Sequence, residues 1–282
     1  MNAAAITAMR QMCMQYGPGA VQLGSEYQAP TSFSTGLDRL DEITGGIRRG
    51  SIVEIFGAEG SGKSTLALHL ARQAGEVLYL DADHGLGAVG GGLYVMRPDR
   101  LEDALRVVEL AAPAFDAVVI DTVAALPTRE EARLPLCGDS EYRLVKPSAR
   151  CLAHALPRLV PLLHKHGCTL FLVNQMRDIP SALCGRREKP TGGRAIRHYA
   201  SLQLEPRRVQ YIQARDKVRG EITRVTVRKS KQCAPYGEAV IGMVYAYGGA
   251  NLCAIRTVEP SAAGAMRATE LQGGAQGKGG AV

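Results

Sequence analysis

The feature that most constrains this chain is a glycine-rich segment between a short apolar run and a helical pattern. The apolar run is Ser51–Phe56, and Leu66, Leu70 and Ala71 recur after it at helical spacing. The segment between them, Gly57-Ala-Glu-Gly-Ser-Gly62-Lys63-Ser64, matches G-x-x-x-x-G-K-[ST] in full. Its glycines allow positive φ, so that successive backbone N–H groups can surround phosphate oxygens at a helix N-terminus. The sequence therefore predicts a strand, a phosphate-binding loop and a helix, in that order.

Residue types in and after this loop predict how it holds a nucleoside triphosphate and Mg²⁺. Lys63 brings a positive charge to the β- and γ-phosphates, and the hydroxyl of Ser64 is a ligand for Mg²⁺. Asp121 ends the apolar run Ala117–Ile120, which predicts a carboxylate at the carboxyl end of a buried strand, beside the loop. Such a carboxylate can order magnesium-bound water.

Polar side chains at two further strand ends are candidates for orienting the water that attacks a γ-phosphate. Asp81 and Asp83 follow the apolar run Val77–Leu80, and Gln175 follows Thr169–Val173. Because the carboxyl ends of parallel strands meet at one edge of a sheet, we expect these side chains near the loop. Each of them is also compatible with the role of a turn-forming polar residue.

The chain is organised in three regions of different composition. Residues 1–35 carry one helical pattern, around Ala4–Met14. Residues 36–258 alternate β-branched runs with helical stretches, which is typical of an α/β fold with a mostly parallel central sheet flanked by helices. Residues 259–282 are rich in Gly and Ala, which predicts a flexible tail.

Two further patterns of the middle region give specific expectations. A helix is expected over residues 148–166, and Pro157 and Pro161 should kink or interrupt it. Beyond Ala200, strands with hairpin-like connections are expected at Leu202/Leu204, Ile222–Val227 and Val240–Tyr245.

Composition narrows the compartment and the partners. Seven cysteines without a Cys-x-x-Cys pair disfavour a disulfide framework or a zinc site and fit reduced thiols in a cytoplasm. No apolar run approaches the ~18–20 residues that cross a bilayer, so no membrane partner is expected. The net charge is +7, and basic residues exceed acidic ones by six to two in 176–198 and by nine to three in 205–231. Such localisation favours a polyanionic partner.

Seven motifs follow one another in the order found in bacterial RecA recombinases, and the chain resembles that family from about Tyr16 to Asn251. The motifs are Ser34–Leu37, Ile52–Thr65, Leu80–Leu86, Val118–Leu126, Val173–Arg177, Thr191–Gly193 and Arg224–Tyr236. The resemblance implies a RecA-type P-loop NTPase core with a short N-terminal helical arm that packs on the adjacent subunit. It also implies a cytoplasmic, ATP-dependent recombinase that forms filaments on single-stranded DNA, exchanges strands with homologous double-stranded DNA and serves DNA repair.

The resemblance assigns roles to individual residues. Those implied for the triphosphate are Gly57, Ala58, Glu59, Gly60, Ser61, Gly62, Lys63, Ser64 and Thr65. Asp121 would join Ser64 in holding Mg²⁺, and Gln175 would sense the γ-phosphate. Lys229 and Lys231 would reach the ATP of the neighbouring protomer. The residues implied for two DNA-binding loops are Arg150, Arg177, Arg186, Arg187, Lys189, Thr191, Gly192, Gly193 and Arg194.

The chain departs from the family pattern in its catalytic region and beyond. Asp83 stands where the family has a catalytic glutamate, and the loss of one methylene withdraws the carboxylate by roughly 1.5 Å. We therefore expect slow ATP turnover with binding intact. The connection from His84 to Pro98 is short and rich in glycine, and Tyr94 is the candidate for stacking on adenine. Cys184 replaces a large apolar residue of the second DNA loop, and the Gly/Ala tail stands in place of the family's separate C-terminal domain.

Two other functions are compatible with the sequence. One is an accessory RecA-like protein that binds ATP and DNA without productive turnover, which the aspartate at position 83 favours. The other is a RecA-fold motor of another type. The matches at Thr191–Gly193, Lys229 and Lys231 favour a recombinase over a motor.

Overall fold

The computed structural model describes residues 2–87, 91–134, 147–178, 188–214, 217–245 and 254–257. The chain divides into two compact units, of which the first ends at Thr31 and the second begins at Ser32. The expected boundary at residue 35 is therefore displaced, because Ser32–Phe33 pairs with Ile47–Arg48 inside the second unit.

The first unit contains the expected N-terminal helix, α1 (Ala3–Tyr16). The side chain of Asn2 caps this helix by accepting the N–H of Ala4 at 3.0 Å. Gly17 ends it with φ of +102°, and its N–H bonds to the carbonyl of Cys13. None of the residues of α1 is buried within the described chain.

The second unit is an α/β fold. Its helices are α2 (Asp38–Thr44), α3 (Lys63–Arg72), α4 (Leu101–Ala111), α5 (Pro147–His166) and α6 (Gly193–Tyr199). Its strands are β1 (Ser32–Phe33), β2 (Ile47–Arg48), β3 (Ile52–Gly57), β4 (Val77–Asp81), β5 (Leu93–Met96), β6 (Ala117–Asp121), β7 (Thr169–Asp178), β8 (Glu188–Pro190), β9 (Leu202–Ala214), β10 (Lys217–Ser230), β11 (Glu238–Val244) and β12 (Ala254–Thr257). No helix in the described part of the chain is both long and apolar enough to span a bilayer.

One large sheet carries the fold, in the order β12-β11-β10-β9-β3-β7-β6-β4-β5. The strands from β9 to β5 in this order are parallel, and β10, β11 and β12 extend the sheet in antiparallel fashion. Strand β8 pairs with the end of β7, and β1 pairs with β2. The predicted fold class, a mostly parallel sheet flanked by helices, is confirmed.

Side chains alternate between the two faces of the parallel strands and feed two cores. In β4, Val77 and Tyr79 pack with α3 on one face, whereas Leu78 and Leu80 pack with α4 and α5 on the other. Because both faces are covered, the central strands consist mostly of apolar residues. This layering places the start of α3, and hence the phosphate loop, at the carboxyl edge of the sheet.

The two prolines do not interrupt the helix expected over 148–166. Helix α5 runs without interruption from Pro147 to His166. Its buried residues, Leu152, Leu156, Leu159 and Leu163, line one face, whereas Pro157 and Pro161 lie on the exposed face. There the carbonyls that lose their N–H partners can bond to water, so the helix continues.

Strand β5 has no counterpart in the sequence expectations, and it changes the position of Tyr94. Tyr94 pairs with Leu78, three residues before the end of β4, which places it about 10 Å from the carboxyl edge of the sheet. Its ring packs edge-to-face on Phe115 with the centroids 5.2 Å apart. The suggestion that Tyr94 stacks on adenine stays a prediction.

Candidate nucleotide site and nucleic-acid interface

The phosphate loop leaves the end of β3 and runs directly into α3. Gly60 and Gly62 have φ of +64° and +80°, which residues with a side chain avoid, so glycine is needed at both positions. Lys63 donates through Nζ to the carbonyl oxygen of Ala58 at 2.7 Å, across the loop. Burial lowers the pKa of Lys63, and the negative charge of Asp121 opposes this shift. The lysine ammonium therefore lies against the loop backbone.

Contacts from β9 hold the phosphate loop in place, and one buried side chain of the loop has no hydrogen-bond partner among the described residues. A Cβ on Gly57 would lie 2.8 Å from the carbonyl oxygen of Pro206, so only glycine fits there. Arg208 donates to the carbonyl oxygen of Gly60 at 2.8 Å. The hydroxyl of Ser61 is buried with no hydrogen-bond partner among the described residues. A phosphate oxygen would satisfy that hydroxyl, so the loop fits a bound triphosphate.

Asp121 ends β6 beside the loop, where its carboxylate is 4% exposed. The hydroxyl of Tyr79 donates to Oδ2 of this carboxylate. Burial raises the pKa of Asp121, hydrogen bonding to Ser64 and Tyr79 lowers it, and the nearby charge of Asp83 raises it. Burial and the charge of Asp121 also raise the pKa of Tyr79. The hydroxyl of Ser64 and the Asp121 carboxylate supply oxygen ligands of the kind that Mg²⁺ prefers, so this pair fits the ion.

The two aspartates after β4 have different environments. Asp81 is buried and accepts from Arg97 at 3.0 Å and from the N–H of Leu86 at 3.3 Å. Asp83 is exposed, and its Oδ1 accepts the N–H of Gly85 at 3.1 Å in a local turn. Asp81 therefore fastens the following connection, and Asp83 is the carboxylate that solvent reaches.

Gln175 lies next to the phosphate loop, because it pairs with Gly57 across β7 and β3. Its N–H donates to Oδ1 of Asn174 at 2.9 Å, and its carbonyl accepts the N–H of Thr191 at 3.1 Å. The side chain of Asn174 also forms two hydrogen bonds with Thr191. Its Oδ1 accepts from the hydroxyl of Thr191, and its Nδ2 donates to the carbonyl oxygen of Thr191 at 2.9 Å. The strand that carries Gln175 is thus joined to the residue that precedes Gly192.

A buried carboxylate extends this connection into the centre of the sheet. Glu54, 1% exposed on β3, accepts Nδ2 of Asn174 at 2.9 Å through Oε1 and the amide of Gln203 through Oε2. Burial raises the pKa of Glu54, and the bonds from the two amides oppose the rise. Since both oxygens accept amide donors, the phosphate-loop strand, β7 and β9 are held in one polar network.

Lys229 and Lys231 at the end of β10 contact the last turn of α6. Lys229 Nζ donates to the carbonyl oxygens of Arg197, His198 and Ala200, the latter two at 3.0 and 2.8 Å. Lys231 Nζ donates to the carbonyl oxygen of Tyr199 at 3.4 Å. Burial lowers the pKa of Lys229, and the charges of Lys231 and Arg197 lower it further. Within one chain, both lysines therefore cap α6, the helix that follows Thr191 and Gly192.

The residues implied for DNA binding are divided among several environments. Arg150, in the first turn of α5, is exposed and pairs with Glu130. Arg194 is exposed on α6, and Gly192 and Gly193 have φ of +79° and +74° at the start of that helix. Arg177 and Lys189 face each other in the register of β7 and β8. Arg186 and Arg187, together with Cys184, lie outside the described residues.

The second basic stretch, residues 205–231, is partly neutralised by its own acidic residues. Glu205 is 2% exposed and pairs with Arg207 at 3.0 Å and with Arg228 on the neighbouring strand. Arg224 lies 3.7 Å from a carboxylate oxygen of Glu238. The count of basic residues therefore overstates the positive charge that this stretch offers to a polyanion.

Comparison with known proteins decides the family. A family model described as the RecA N-terminal domain matches residues 3–250. The chain belongs to the RecA family. Protein RecA of Anaplasma marginale (strain Florida) is 38% identical over 256 residues, which cover 84% of this chain and 70% of that protein. Protein RecA of Rubrobacter xylanophilus is 38% identical over 260 residues, with coverages of 86% and 74%.

A solved structure shares the fold of this RecA-family chain. The crystal structure of the RadB recombinase matches it with a TM-score of 0.56 at 19% sequence identity. The match covers 80% of this chain and 100% of that one. The RecA-type core expected from the motifs is thereby confirmed.

Several residues of the site belong to no sequence motif. In the sequence, Tyr79 is one of several apolar residues of a predicted buried strand, and Glu54 is a charged residue within another apolar run. Asn174 stands directly before Gln175, and this adjacency is its one signal in the sequence. Arg208 belongs to the basic stretch 205–231, which the sequence analysis associates with a polyanionic partner. The role of each of these side chains is recognised only from the residue that it contacts in the structure.

Proposed function

We propose that this chain is a cytoplasmic, ATP-dependent recombinase of the RecA type, which forms filaments on single-stranded DNA and exchanges homologous strands in DNA repair. The observation that carries the proposal is the hydrogen-bonded path from the phosphate loop to Thr191, in the basic stretch 176–198. Gln175 lies opposite Gly57, and its backbone and the side chain of Asn174 bond to Thr191. A change at the γ-phosphate therefore has a short, direct route to the proposed DNA-binding surface.

Hydrolysis at this site is in-line transfer of the γ-phosphoryl group to water. Lys63 and the loop N–H groups from Gly60 onward bind and orient the phosphates, and Asp83 accepts the proton of the attacking water. Ser64 and Asp121 would hold Mg²⁺, which would stabilise the negative charge that develops on the phosphate oxygens. Family membership supports ATP hydrolysis of this kind.

A second set of positively charged side chains contacts ATP from a neighbouring copy of the chain. Lys229 and Lys231 lie at the end of β10, and they match family lysines that act across the protomer interface. Their present partners are carbonyl oxygens of α6. We infer that these bonds are exchanged for phosphate oxygens when protomers assemble, which couples nucleotide binding to assembly.

DNA is bound by the segment between β7 and α6. Its basic residues Arg177, Arg186, Arg187, Lys189 and Arg194 neutralise phosphates, and Gly192 and Gly193 let the backbone approach them closely. The link of Thr191 to Asn174 supports a coupling of this segment to the nucleotide site. Arg150 belongs to the first DNA-binding loop and exchanges Glu130 for a DNA phosphate.

One observation favours a second candidate, an accessory protein that binds ATP and DNA without productive turnover. The carboxylate of Asp83 is one methylene shorter than the family's glutamate and accepts a hydrogen bond from Gly85 in its own turn. Both features draw it toward its own backbone. ATP binding, in contrast, depends on the phosphate loop and is unaffected.

The test measures ATP hydrolysis and strand exchange on single-stranded DNA for the wild-type chain and three variants. Lys63→Ala removes the phosphate-loop charge and Lys229→Ala the proposed charge in trans, while Lys165→Ala is a control that removes an exposed lysine from α5. We expect DNA-stimulated hydrolysis and exchange in the wild type and the control. Hydrolysis should fall about a hundredfold or more in the other two variants.

Each alternative has its own outcome. ATP-dependent DNA binding without hydrolysis or exchange would assign the chain to the accessory class. Directional unwinding of duplex DNA would assign it to the motors. If the wild-type chain fails to bind ATP, the proposed nucleotide site is refuted.

A further inference from the structure

Tyr79 is a buried tyrosine whose hydroxyl is directed at the proposed Mg²⁺ site. It lies in the middle of β4, with 1% of its surface exposed, and its ring packs in the core beneath α3. The hydroxyl donates to Oδ2 of Asp121, a residue 42 positions away in the sequence. A phenylalanine would fill the same space in this core, so the hydroxyl has a purpose other than packing.

The geometry around Asp121 indicates what the hydroxyl does. A carboxylate can rotate about its bond to Cβ, and its two oxygens are equivalent until a donor distinguishes them. Tyr79 donates to Oδ2 from the core side, and the side chain of Ser64, at the start of α3, is near enough to lower the pKa of the carboxyl group. The bond from Tyr79 distinguishes the two oxygens and restricts the rotation of the carboxylate.

We propose that Tyr79 is a positioning residue that holds the Asp121 carboxylate in the orientation needed to bind the Mg²⁺ of Mg²⁺–ATP. The proposal rests on the function proposed above, in which Asp121 and Ser64 hold this ion. Partners that orient the ligands of a metal ion usually affect its affinity by roughly 10–100-fold. Without the hydroxyl, Asp121 loses the donor on its core side and samples other orientations.

The experiment measures ATP binding as a function of Mg²⁺ concentration, with a fluorescent ATP analogue and no hydrolysis readout. Tyr79→Phe removes one oxygen and keeps the ring. We expect the Mg²⁺ concentration for half-maximal binding to rise about tenfold. Tyr27→Phe is the matched control, since it removes the hydroxyl of an exposed tyrosine outside the nucleotide site, and its midpoint should stay within about twofold of the wild type.

A double-mutant cycle separates positioning from a general effect on the fold. If Tyr79 acts through Asp121, Tyr79→Phe should change the midpoint by less than about twofold in a background that already carries Asp121→Asn. An equal change in both backgrounds would overturn the proposal, as would an unchanged midpoint in the single variant. Urea unfolding of each variant identifies any loss of folded protein.

The same data distinguish this inference from the function on which it rests. If the wild-type chain fails to bind the ATP analogue at any Mg²⁺ concentration, the nucleotide site itself is refuted. If the wild type binds with a clear Mg²⁺ dependence and Tyr79→Phe behaves identically, only the role of Tyr79 is refuted.

Discussion

At the scale of single residues, the length of one side chain is expected to limit turnover. Replacing Asp83 by Glu extends the carboxylate by roughly 1.5 Å toward the water that it would deprotonate. Because misplacement by about 1 Å can cost a hundredfold in rate, we expect Asp83→Glu to raise kcat by about 10- to 100-fold. Affinity for ATP should not change, since the phosphate loop is untouched. Steady-state hydrolysis and ATP titration measure the two quantities.

Asp83→Asn is the companion variant. It keeps the short side chain and removes the base, so hydrolysis should fall below that of the wild type while ATP binding is retained. A glutamate variant no faster than the wild type would show that another group limits the reaction.

Residue-level prediction from sequence works where the chemistry is local. The phosphate loop is contiguous, and Asp121 ends an apolar run, so both are identifiable from the order of residues alone. Tyr79 and Glu54 act through partners 42 and 120 positions away. No pattern along the chain records such pairs, because they arise only when β4 meets β6 and β3 meets β7.

At the scale of elements, the sequence predicts strands and helices that bury regular apolar faces and misses those that do not. Strands β3, β4, β6 and β7 are recognisable because both of their faces are apolar. The outer part of β9 contains the largely charged run Glu205–Arg208 and exposes Val209 and Tyr211, so its apolar pattern is interrupted. The edge strand β5 is a run of four apolar residues, Leu93–Met96, that follows a glycine-rich connection and exposes three of its four side chains.

The ion pair that joins β9 to β10 gives a prediction about pH. Burial alone would raise the pKa of Glu205, but hydrogen bonds from Arg228 and Arg207 outweigh it and the pKa is lowered. A lowered pKa in the folded state stabilises the fold above the unfolded value, near 4.3, and this contribution disappears as pH falls through the folded value. Glu205→Gln should therefore lower the free energy of unfolding by about 2 kcal/mol at pH 7 and by less below pH 4.

Urea unfolding at pH 7 and at low pH tests this dependence. Glu238→Gln is the matched control, because its pair with Arg224 is 3.7 Å apart with half of each side chain exposed. We expect that change to cost less than about 1 kcal/mol at either pH. A Glu205→Gln effect that persists unchanged in acid would mean that its charge does not stabilise the two strands.

At the scale of the whole molecule, the distribution of charge matters more than the net value of +7. Arginines of β9 and β10 are paired with Glu205 and Glu238, whereas the segment before α6 keeps basic residues on a connection between two elements. Lys229 and Lys231 are a third case, since they cap α6 within one chain. The sequence locates all of these charges, and the structure shows partners for the arginines of β9 and β10 and for the two lysines.

Lys229 cannot cap α6 and contact a neighbour's ATP at the same time, so its proposed role in trans can be tested by mixing variants. Lys63→Ala and Lys229→Ala chains should each be inactive alone. In a head-to-tail filament of equal amounts, about a quarter of the interfaces join an intact phosphate loop to an intact Lys229 of the next chain. We therefore expect DNA-dependent hydrolysis to recover to about a quarter of the wild-type rate.

The mixing experiment distinguishes action of Lys229 within its own chain from action on the neighbouring chain, because the two cases give different fractions of competent ATP sites. If Lys229 served only its own chain, every chain in the mixture would carry one defect, and no activity would return. A mixture of Lys63→Ala with Lys165→Ala is the control, since one partner is fully competent and about half of the interfaces should work. Assembly requires that the recovered activity depend on total protein concentration. Such a dependence would show that Lys229, which caps α6 in the single chain, acts in the active site of the neighbouring protomer in the filament.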